Sequence, residues 1–339
     1  MKKSTLILLL VVLLLGISTF LLMRKPWSNS QHEASAFAVK DTAKVTRVFL
    51  ADKAGKTLTL ERNADNTWIA NKNVLVDHTK INLLLTTLHD LQVKIPVSAS
   101  MHNTAMGILG SKGIKCEIYE GERLLKVIYI GTETPEKEGT FMILEGEDQP
   151  YIIQQPGFIG FLTPRFSTDE IKWRSKLIFN VAKKDIQEIT IRYPSNASES
   201  FVLNANTAQQ KGVIQDSKGN LVQTDTLKTN LLLNAFEQLY AEGFYDETAF
   251  TKAERDSVFG LNPYVSIDLK LINGDIQHLS LYEKLVGDKT KDRFDDDNKE
   301  RTIDPEKFFA KVGNQNLAAS VQEYAFRRIL VKKSDLQLR

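Results

Sequence analysis

Cysteine is almost absent from this chain of 339 residues. Cys116 is the only one, so a disulfide within the chain is excluded. The alternation of residues 114–118 places this thiol on the apolar face of a strand, where we expect it to act as a small buried hydrophobe. A redox or nucleophilic role would need a neighbouring histidine or a helix start, and the local sequence has neither.

Histidine is also scarce, and the common catalytic motifs are missing. None of the five histidines pairs with another at the i, i+4 spacing of a metal-binding helix. The chain has no Gly-x-Ser-x-Gly, no glycine-rich phosphate loop and no His-Glu-x-x-His. We therefore predict that the protein is not an enzyme, with no catalytic, cofactor-binding or metal-binding residues and no cofactor. A hydrolase with a scattered site is the alternative that this argument leaves open.

An excess of positive charge is missing as well. The formal net charge is +2, and four of the 44 basic residues, Lys2, Lys3, Arg24 and Lys25, flank the first apolar run. Without them, 40 basic residues face 42 acidic ones. No nucleic-acid partner is indicated, because such a partner requires a basic face. The hydrophobic content of 42% is typical of a globular protein.

The chain begins with an uncharged apolar run from Ser4 to Met23. As a helix its twenty residues would span about 30 Å, the thickness of the hydrocarbon core of a bilayer. The apolar core of a cleaved signal peptide is shorter, at about 7–15 residues. We predict that residues 1–27 are an uncleaved transmembrane anchor, with residues 4–23 in the bacterial inner membrane and an extracytoplasmic, periplasmic body.

The rest of the chain contains one pattern twice. Residues 77–85 and 225–233 are identical at six of nine positions, 148 residues apart. Asp77 and Asp225 stand where an N-cap is expected, before residues with helical periodicity. In each copy, strand-like alternation precedes and follows this helix. The duplication favours a structural or binding body over an enzyme.

Turn signals and end segments extend the repeat. Gly121 and Gly274 occupy equivalent hairpin turns, and Asn273-Gly274 predicts a loop of two residues. Both copies also close on an aromatic-basic-aliphatic segment, which aligns residues 173–179 with residues 324–331.

These patterns predict an α+β fold with two tandem modules behind the anchor. Each module is expected to be an antiparallel sheet of hairpins with one main packed helix. The predicted division is an anchor over residues 1–27, a linker over 28–41, the first module over 42–185 and the second over 186–339.

Two segments have more than one interpretation. The acidic residues of segment 288–306 are compatible with calcium, but interleaved lysines and arginines favour a solvated connection between strands. Trp68, Trp173 and segment 157–162 are rich in aromatic character, and core packing is the default prediction for them. The alternative for segment 157–162, which lies between the modules, is an exposed contact strip.

The chain resembles the bacterial membrane-anchored family catalogued as domain of unknown function 4340. The resemblance lies in the anchor, the hairpin ending Leu58–Arg62 before Trp68, the leucine-rich helix, the duplication, and Phe259-Gly260-Leu261 before a strand. In the first module Met106-Gly107-Ile108 stands at the position equivalent to Phe259-Gly260-Leu261. The resemblance implies no catalytic residues, and it implies subunits of ABC-type export or gliding-associated transporters as partners.

The sequence therefore predicts a binding or scaffold protein, an accessory subunit of such an assembly. One alternative is a periplasmic ligand or glycan sensor that uses a cleft between the modules, since ligands often bind between domains. The other is the scattered-site hydrolase.

Overall fold

The computed structural model describes residues 35–206, 212–288, 290–313 and 317–338. The chain divides between Arg174 and Ser175 into two compact units, somewhat before the predicted boundary at residue 185. The predicted anchor over residues 1–27 lies outside the described residues. None of the helices that are described is long and apolar enough to cross a membrane.

The first unit is an antiparallel sheet with helices on it, within its described part. Its helices are α1 (His78–Asp90), α2 (Ala99–Lys112) and α3 (Glu170–Trp173). The nine strands of the sheet are β1 (Arg47–Ala51), β2 (Thr57–Arg62), β3 (Trp68–Ala70), β4 (Val74–Leu75), β5 (Gln92–Pro96), β6 (Ile114–Glu120), β7 (Arg123–Glu133), β8 (Thr140–Leu144) and β9 (Tyr151–Gln154).

In its described residues, the second unit is also built from a nine-stranded antiparallel sheet and helices, with a small two-stranded sheet in addition. Its helices are α4 (Thr226–Asn234), α5 (Lys252–Phe259), α6 (Glu323–Phe326) and α7 (Lys333–Leu336). A small sheet pairs β10 (Leu177–Phe179) with β15 (Leu239–Tyr240). The large sheet contains β11 (Ile186–Arg192), β12 (Phe201–Asn204), β13 (Val213–Asp216), β14 (Leu221–Gln223), β16 (Gly243–Phe244), β17 (Val265–Leu271), β18 (Ile276–Leu285), β19 (Ile303–Val312) and β20 (Ala318–Gln322).

The two large sheets have one topology. The first has the strand order β4-β3-β2-β1-β6-β7-β8-β9-β5, and the second has β14-β13-β12-β11-β17-β18-β19-β20-β16. Each strand of one sheet therefore has a counterpart at the same place in the other. This confirms the prediction of an α+β fold built on antiparallel sheets, and the shared order supports the repeat.

Each core lies between one sheet face and the repeated helix. In the first unit the Asp77 carboxylate accepts from the amides of Thr79 and Lys80, which fixes the start of α1. Ile81, Leu84 and Leu88 then fall on one helical face and are buried. They pack against the inward positions of the strands, which alternate as period-two geometry requires; Val48, Leu50, Cys116 and Ile118 are examples.

A second helix in each unit adds to the one main helix that the sequence predicts. Helix α2 covers β7 and β8 on the other face of the first sheet, where Ala105 and Phe141 are buried together. Met106-Gly107-Ile108 lies inside α2, which continues to Lys112 and ends at Gly113. In the second unit Gly260 follows α5 directly. Because α5 is shorter than α2, Gly260 ends its helix, whereas Gly107 at the equivalent place lies inside one.

The structure corrects where each repeat starts. Phe37 and Val39, in the range 28–41 assigned to a linker, are buried in the first core. The Val39 amide donates to the Leu88 carbonyl at 2.8 Å, and the Val181 amide donates to the Phe236 carbonyl at 3.0 Å. The two segments are therefore equivalent, and the packed body begins before residue 42.

The structure also corrects the predicted alignment of the ends. The amide of Asp77 donates to the carbonyl of Trp173, and that of Asp225 donates to the carbonyl of Leu336. Trp173 thus corresponds to Leu336, in α3 and α7 respectively, and not to a residue of segment 324–331. Segments of aromatic and basic residues recur by chance, so they are a poor basis for aligning the two copies. The equivalent backbone hydrogen bonds give the correct alignment.

Candidate functional site

The outward face of the first sheet collects charged and aromatic side chains. Along β1, Val48 and Leu50 point to the core, so Arg47 and Phe49 point outward. Strand β6 lies beside β1 with Arg47 opposite Tyr119 and Phe49 opposite Glu117. These four side chains come from segments far apart in sequence and meet because the strands pair.

An open pocket of about 480 Å³ lies on this face. Phe49 and Tyr119 supply aromatic surface, and the charged groups of Arg47, Glu117, Glu61 and Lys72 line the rest. We call it the outer-face pocket. Its lining combines apolar ring surface with charges of both signs, which suits a polar ligand that also presents an apolar group.

One side of the outer-face pocket is a fixed network. The Arg47 guanidinium lies over the Tyr119 ring, 4.1 Å from its centre. The Tyr119 hydroxyl donates to Glu117 at 2.5 Å, and the Lys115 ammonium lies 2.8 Å from the same carboxylate. Desolvation works to raise the pKa of Glu117, but these hydrogen bonds and the nearby positive charges outweigh it and hold the pKa below its usual value.

The Tyr119 hydroxyl stays protonated as a result of the same contact. Its hydrogen bond to Glu117, with partial burial, raises the pKa of Tyr119. At neutral pH this side of the pocket therefore presents an anionic carboxylate, a neutral phenol and a cation over its ring. Such a preorganised set recognises a ligand without first rearranging.

The opposite side of the pocket offers charges with no internal partner. Asn71 and Lys72 form the β3–β4 turn with φ of 47° and 78°, in the left-handed region. This turn directs Lys72 to the pocket, while the Asn71 amide donates to Glu170 at 2.9 Å. In the described part of the chain, neither Lys72 nor Glu61 forms an ion pair. Both charges are available to a ligand.

The second sheet has a different cluster at the corresponding place. Asp268 on β17 stands opposite His278 on β18, at the position equivalent to Glu117. His278 Nδ1 lies 2.5 Å from Asp268 Oδ1, and His278 Nε2 lies 2.8 Å from the Ser280 hydroxyl oxygen. Arg192 also donates to Asp268. The result is an Asp–His–Ser chain of contacts on the face of a sheet.

The electrostatics of this cluster favour an ionised Asp268. Partial burial works to raise its pKa, but the hydrogen bonds from His278 and Arg192 and their charges prevail and lower it. This cluster could not be predicted from the sequence, because Asp268, His278 and Ser280 carry no local motif. Their strand register was the only available signal.

Segment 157–162 is largely exposed. The exposed fraction of Ile159 is 97%, and those of Phe158 and Phe161 are 39% and 37%, whereas Leu162 is buried. The segment lies within the first unit, between β9 and α3. Trp68 and Trp173 are buried in the first core, as predicted. The exposed strip is therefore the better interpretation for residues 158–161.

The other candidates from the sequence are structural. Cys116 is completely buried, and desolvation raises the pKa of its thiol. In segment 288–306, Arg293 pairs with Glu300 at 2.7 Å, and buried Asp304 accepts from Thr290 at 3.2 Å. Among the described residues no three His, Cys, Asp or Glu side chains are grouped so as to hold a metal ion.

Comparison with known proteins finds one family model that matches part of the chain. The family model described as Domain of unknown function (DUF4340) matches residues 107–263, which run from α2 in the first unit to the loop before β17 in the second. This confirms the resemblance expected from the sequence. No curated protein and no solved structure matches the chain.

Proposed function

We propose that this protein is a membrane-anchored, extracytoplasmic binding protein that serves as an accessory or scaffold subunit of an ABC-type export or gliding-associated assembly. The outer-face pocket carries this proposal, because Lys72 and Glu61 present opposite charges that have no ion-pair partner in the described part of the chain. The uncharged run at residues 4–23 supports an anchor. The family resemblance supplies the class of partner.

The shape and chemistry of the pocket favour a polypeptide partner. The site is open and lies on a sheet face with rings at its wall, so a protruding loop has access to it. Aromatic and arginine side chains dominate the binding energy of many protein interfaces, and Phe49, Tyr119 and Arg47 supply both kinds here. Paired charges at such a site select the partner and fix its register more than they add affinity.

The test is affinity purification of the tagged full-length protein from its native membrane in mild detergent, followed by mass spectrometry. We expect wild-type protein to recover transporter subunits and Lys72→Glu to lose them. Lys218→Glu is the matched control, because Lys218 is an exposed turn lysine of the second unit. Recovery of the protein alone, or equal recovery by both variants, would refute the proposal.

A second candidate function is acyl hydrolysis at Asp268, His278 and Ser280. The three side chains contact one another in the sequence Asp–His–Ser, as the catalytic residues of serine hydrolases do. Two features make it the weaker candidate. The exposed fraction of Ser280 is only 4%, and its strand lies between two others, opposite Ser266 and Lys311. Its amide therefore serves the sheet, whereas an oxyanion hole needs free amides beside the nucleophile.

A further inference from the structure

The exposed strip of the first unit is a shaped apolar tip. We use this name for residues 158–161, whose Ile159 is almost fully exposed. Gly157 and Gly160 flank the isoleucine with φ of 76° and 132°, a region that side chains with a Cβ rarely adopt. The turn therefore depends on these glycines and directs three large apolar side chains outward.

The apolar tip is held firmly by the body of the unit. The Arg165 guanidinium lies 4.2 Å from the centre of the Phe158 ring. It also donates to the Thr87 hydroxyl at 2.7 Å and to the side-chain oxygen of Gln155. On the other side of the tip the Leu162 amide donates to the Thr140 hydroxyl at 2.7 Å. The tip is therefore presented in one conformation, which lowers the entropic cost of inserting it.

The charge around the tip suits an anionic lipid surface. No acidic residue occurs from Gln149 to Thr168, and the only charged side chain in that stretch is Arg165. Carboxylates beside the tip would be repelled by phospholipid headgroups and would keep their own hydration. A segment with large apolar side chains and no carboxylate of its own has the composition found where proteins lie in a membrane interface.

The tip also lies where the chain enters the first unit. The entering residue Val39 donates to the Leu88 carbonyl. Arg165, which holds Phe158 of the tip, donates to neighbouring Thr87, and both acceptors lie in the last turn of α1. The eleven residues 24–34 separate the apolar run 4–23 from Ser35. Even fully extended, they span at most about 40 Å. If residues 4–23 cross a membrane, this end of the unit stays close to its surface.

We propose that the apolar tip inserts into the interfacial layer of the bilayer that holds the anchor, so that the first unit contacts the membrane at two points. The partner is thus a lipid surface, which Ile159 and the two phenylalanines enter. This inference rests on the anchoring in the proposed function. Two contacts restrict the orientation of the first unit relative to the membrane, whereas an anchor alone leaves it free to rotate.

The test uses Ile159→Cys in the full-length protein, labelled with an environment-sensitive fluorophore and reconstituted into vesicles that contain brominated phospholipids. Buried Cys116 leaves residue 159 as the site that reacts. Leu221→Cys is the matched control, since Leu221 is an exposed leucine of the second unit. Leu14→Cys reports on the predicted anchor. Interfacial residues lie about 5–10 Å into the bilayer, so lipids brominated at shallow chain positions are used for residue 159. Lipids brominated near the chain ends are used for residue 14, which is central in the predicted span.

The three probes distinguish failure of the predicted anchor from failure of the tip to insert. We expect strong quenching at residues 14 and 159, each by the lipids brominated at the matching depth, and none at residue 221. Quenching at 14 without quenching at 159 would overturn membrane insertion of the tip and leave the anchor intact, and a protein partner would then be the occupant to test. Absence of quenching at both sites would overturn the anchor as well.

Discussion

The backbone amide of Asp77 donates to the carbonyl of Trp173 at 2.7 Å, and Asp225 repeats this bond with Leu336 at 2.8 Å. In both units the aspartate joins the closing helical turn to the start of the repeated helix. Its carboxylate caps that helix at the same time, accepting at 2.8 Å from the amide of Thr79 or Leu227. One residue thus has two structural roles in each copy, and the motif around it is the best preserved part of the repeat.

The caps give the first prediction. Asp77→Ala and Asp225→Ala should each lower the free energy of unfolding of their own unit by about 1 kcal/mol, because the helix amides lose their acceptor. Denaturant titration of the full-length protein in detergent measures the effect. Asp77→Asn and Asp225→Asn are the controls, since asparagine caps equally well. Equal losses in the Ala and Asn variants would contradict the capping explanation.

Much of the fold follows from local sequence signals. Asp77 and Asp225 mark the helices because an N-cap is a local device. Gly121 and Gly274 mark the hairpin turns because they adopt positive φ, at 56° and 92°. The α+β fold could be predicted from these signals and from strand alternation, without any knowledge of how distant segments pair.

The candidate sites could not be predicted from the sequence, because they depend on the register in which the strands pair. Asn273-Gly274 predicts a two-residue loop, which would place His278 opposite Leu269. The structure has a three-residue loop, since the amide of Leu271 donates to the carbonyl of Asp275, and His278 therefore faces Asp268. A slip of one residue changes every cross-strand pair. The outer-face pocket needs in addition the pairing of β1 with β6, for which the sequence has no local signal.

The second prediction concerns Cys116. Its thiol should not react with an aromatic disulfide reagent in the native protein, because it is completely buried and desolvation raises its pKa. After denaturation the chain should yield its single thiol. Ile159→Cys is the matched control and should show one reactive thiol in the native state. Rapid native reaction of the wild type would contradict the buried position.

The third prediction is a pH dependence that arises from Asp268. Its folded-state pKa is lowered, so its contribution to stability is fully present above the unfolded-state pKa of about 3.9 and is lost as the pH falls through the folded value. Asp268→Asn should therefore flatten the loss of stability below about pH 4. Thermal unfolding across that range is the measurement.

Two variants accompany the Asp268 experiment. Glu117→Gln should act in the same direction in the first unit, because the pKa of Glu117 is lowered as well. Asp148→Asn is the control, since exposed Asp148 has no ion-pair partner in the described part of the chain. An acid profile of Asp268→Asn that matches the wild type would show that the cluster contributes nothing to acid stability.

The fourth prediction separates binding from hydrolysis. A fluorophosphonate probe should not label Ser280, because its hydroxyl is buried and its amide serves the sheet. Intact-mass measurement of the wild type and Ser280→Ala after exposure to the probe gives the result. Labelling that disappears in Ser280→Ala would instead support the hydrolase and displace the binding proposal.

The fifth prediction compares a glycine that has no room for a side chain with one that faces open space. A Cβ at Gly139 would lie 2.6 Å from Ile152 Cγ2 and 2.9 Å from the Ile153 carbonyl oxygen. Gly139→Ala should therefore cost about 1–3 kcal/mol, as overpacking does. Gly107 lies inside α2 with nothing within 4 Å of such a Cβ. Gly107→Ala should stabilise the first unit by about 0.5–1 kcal/mol, because it removes backbone freedom from the unfolded chain.

The sign of the Gly107→Ala effect also tests the assignment of α2. This helix is absent from the predicted module, and its sequence contains two internal glycines, Gly107 and Gly110. In a helix, alanine is favoured over glycine at an open position. If residues 106–108 formed the approach to a strand, as the family resemblance suggests for Phe259-Gly260-Leu261, alanine would bring no such gain. Denaturant titration that shows a loss of stability for Gly107→Ala would therefore contradict the helix itself.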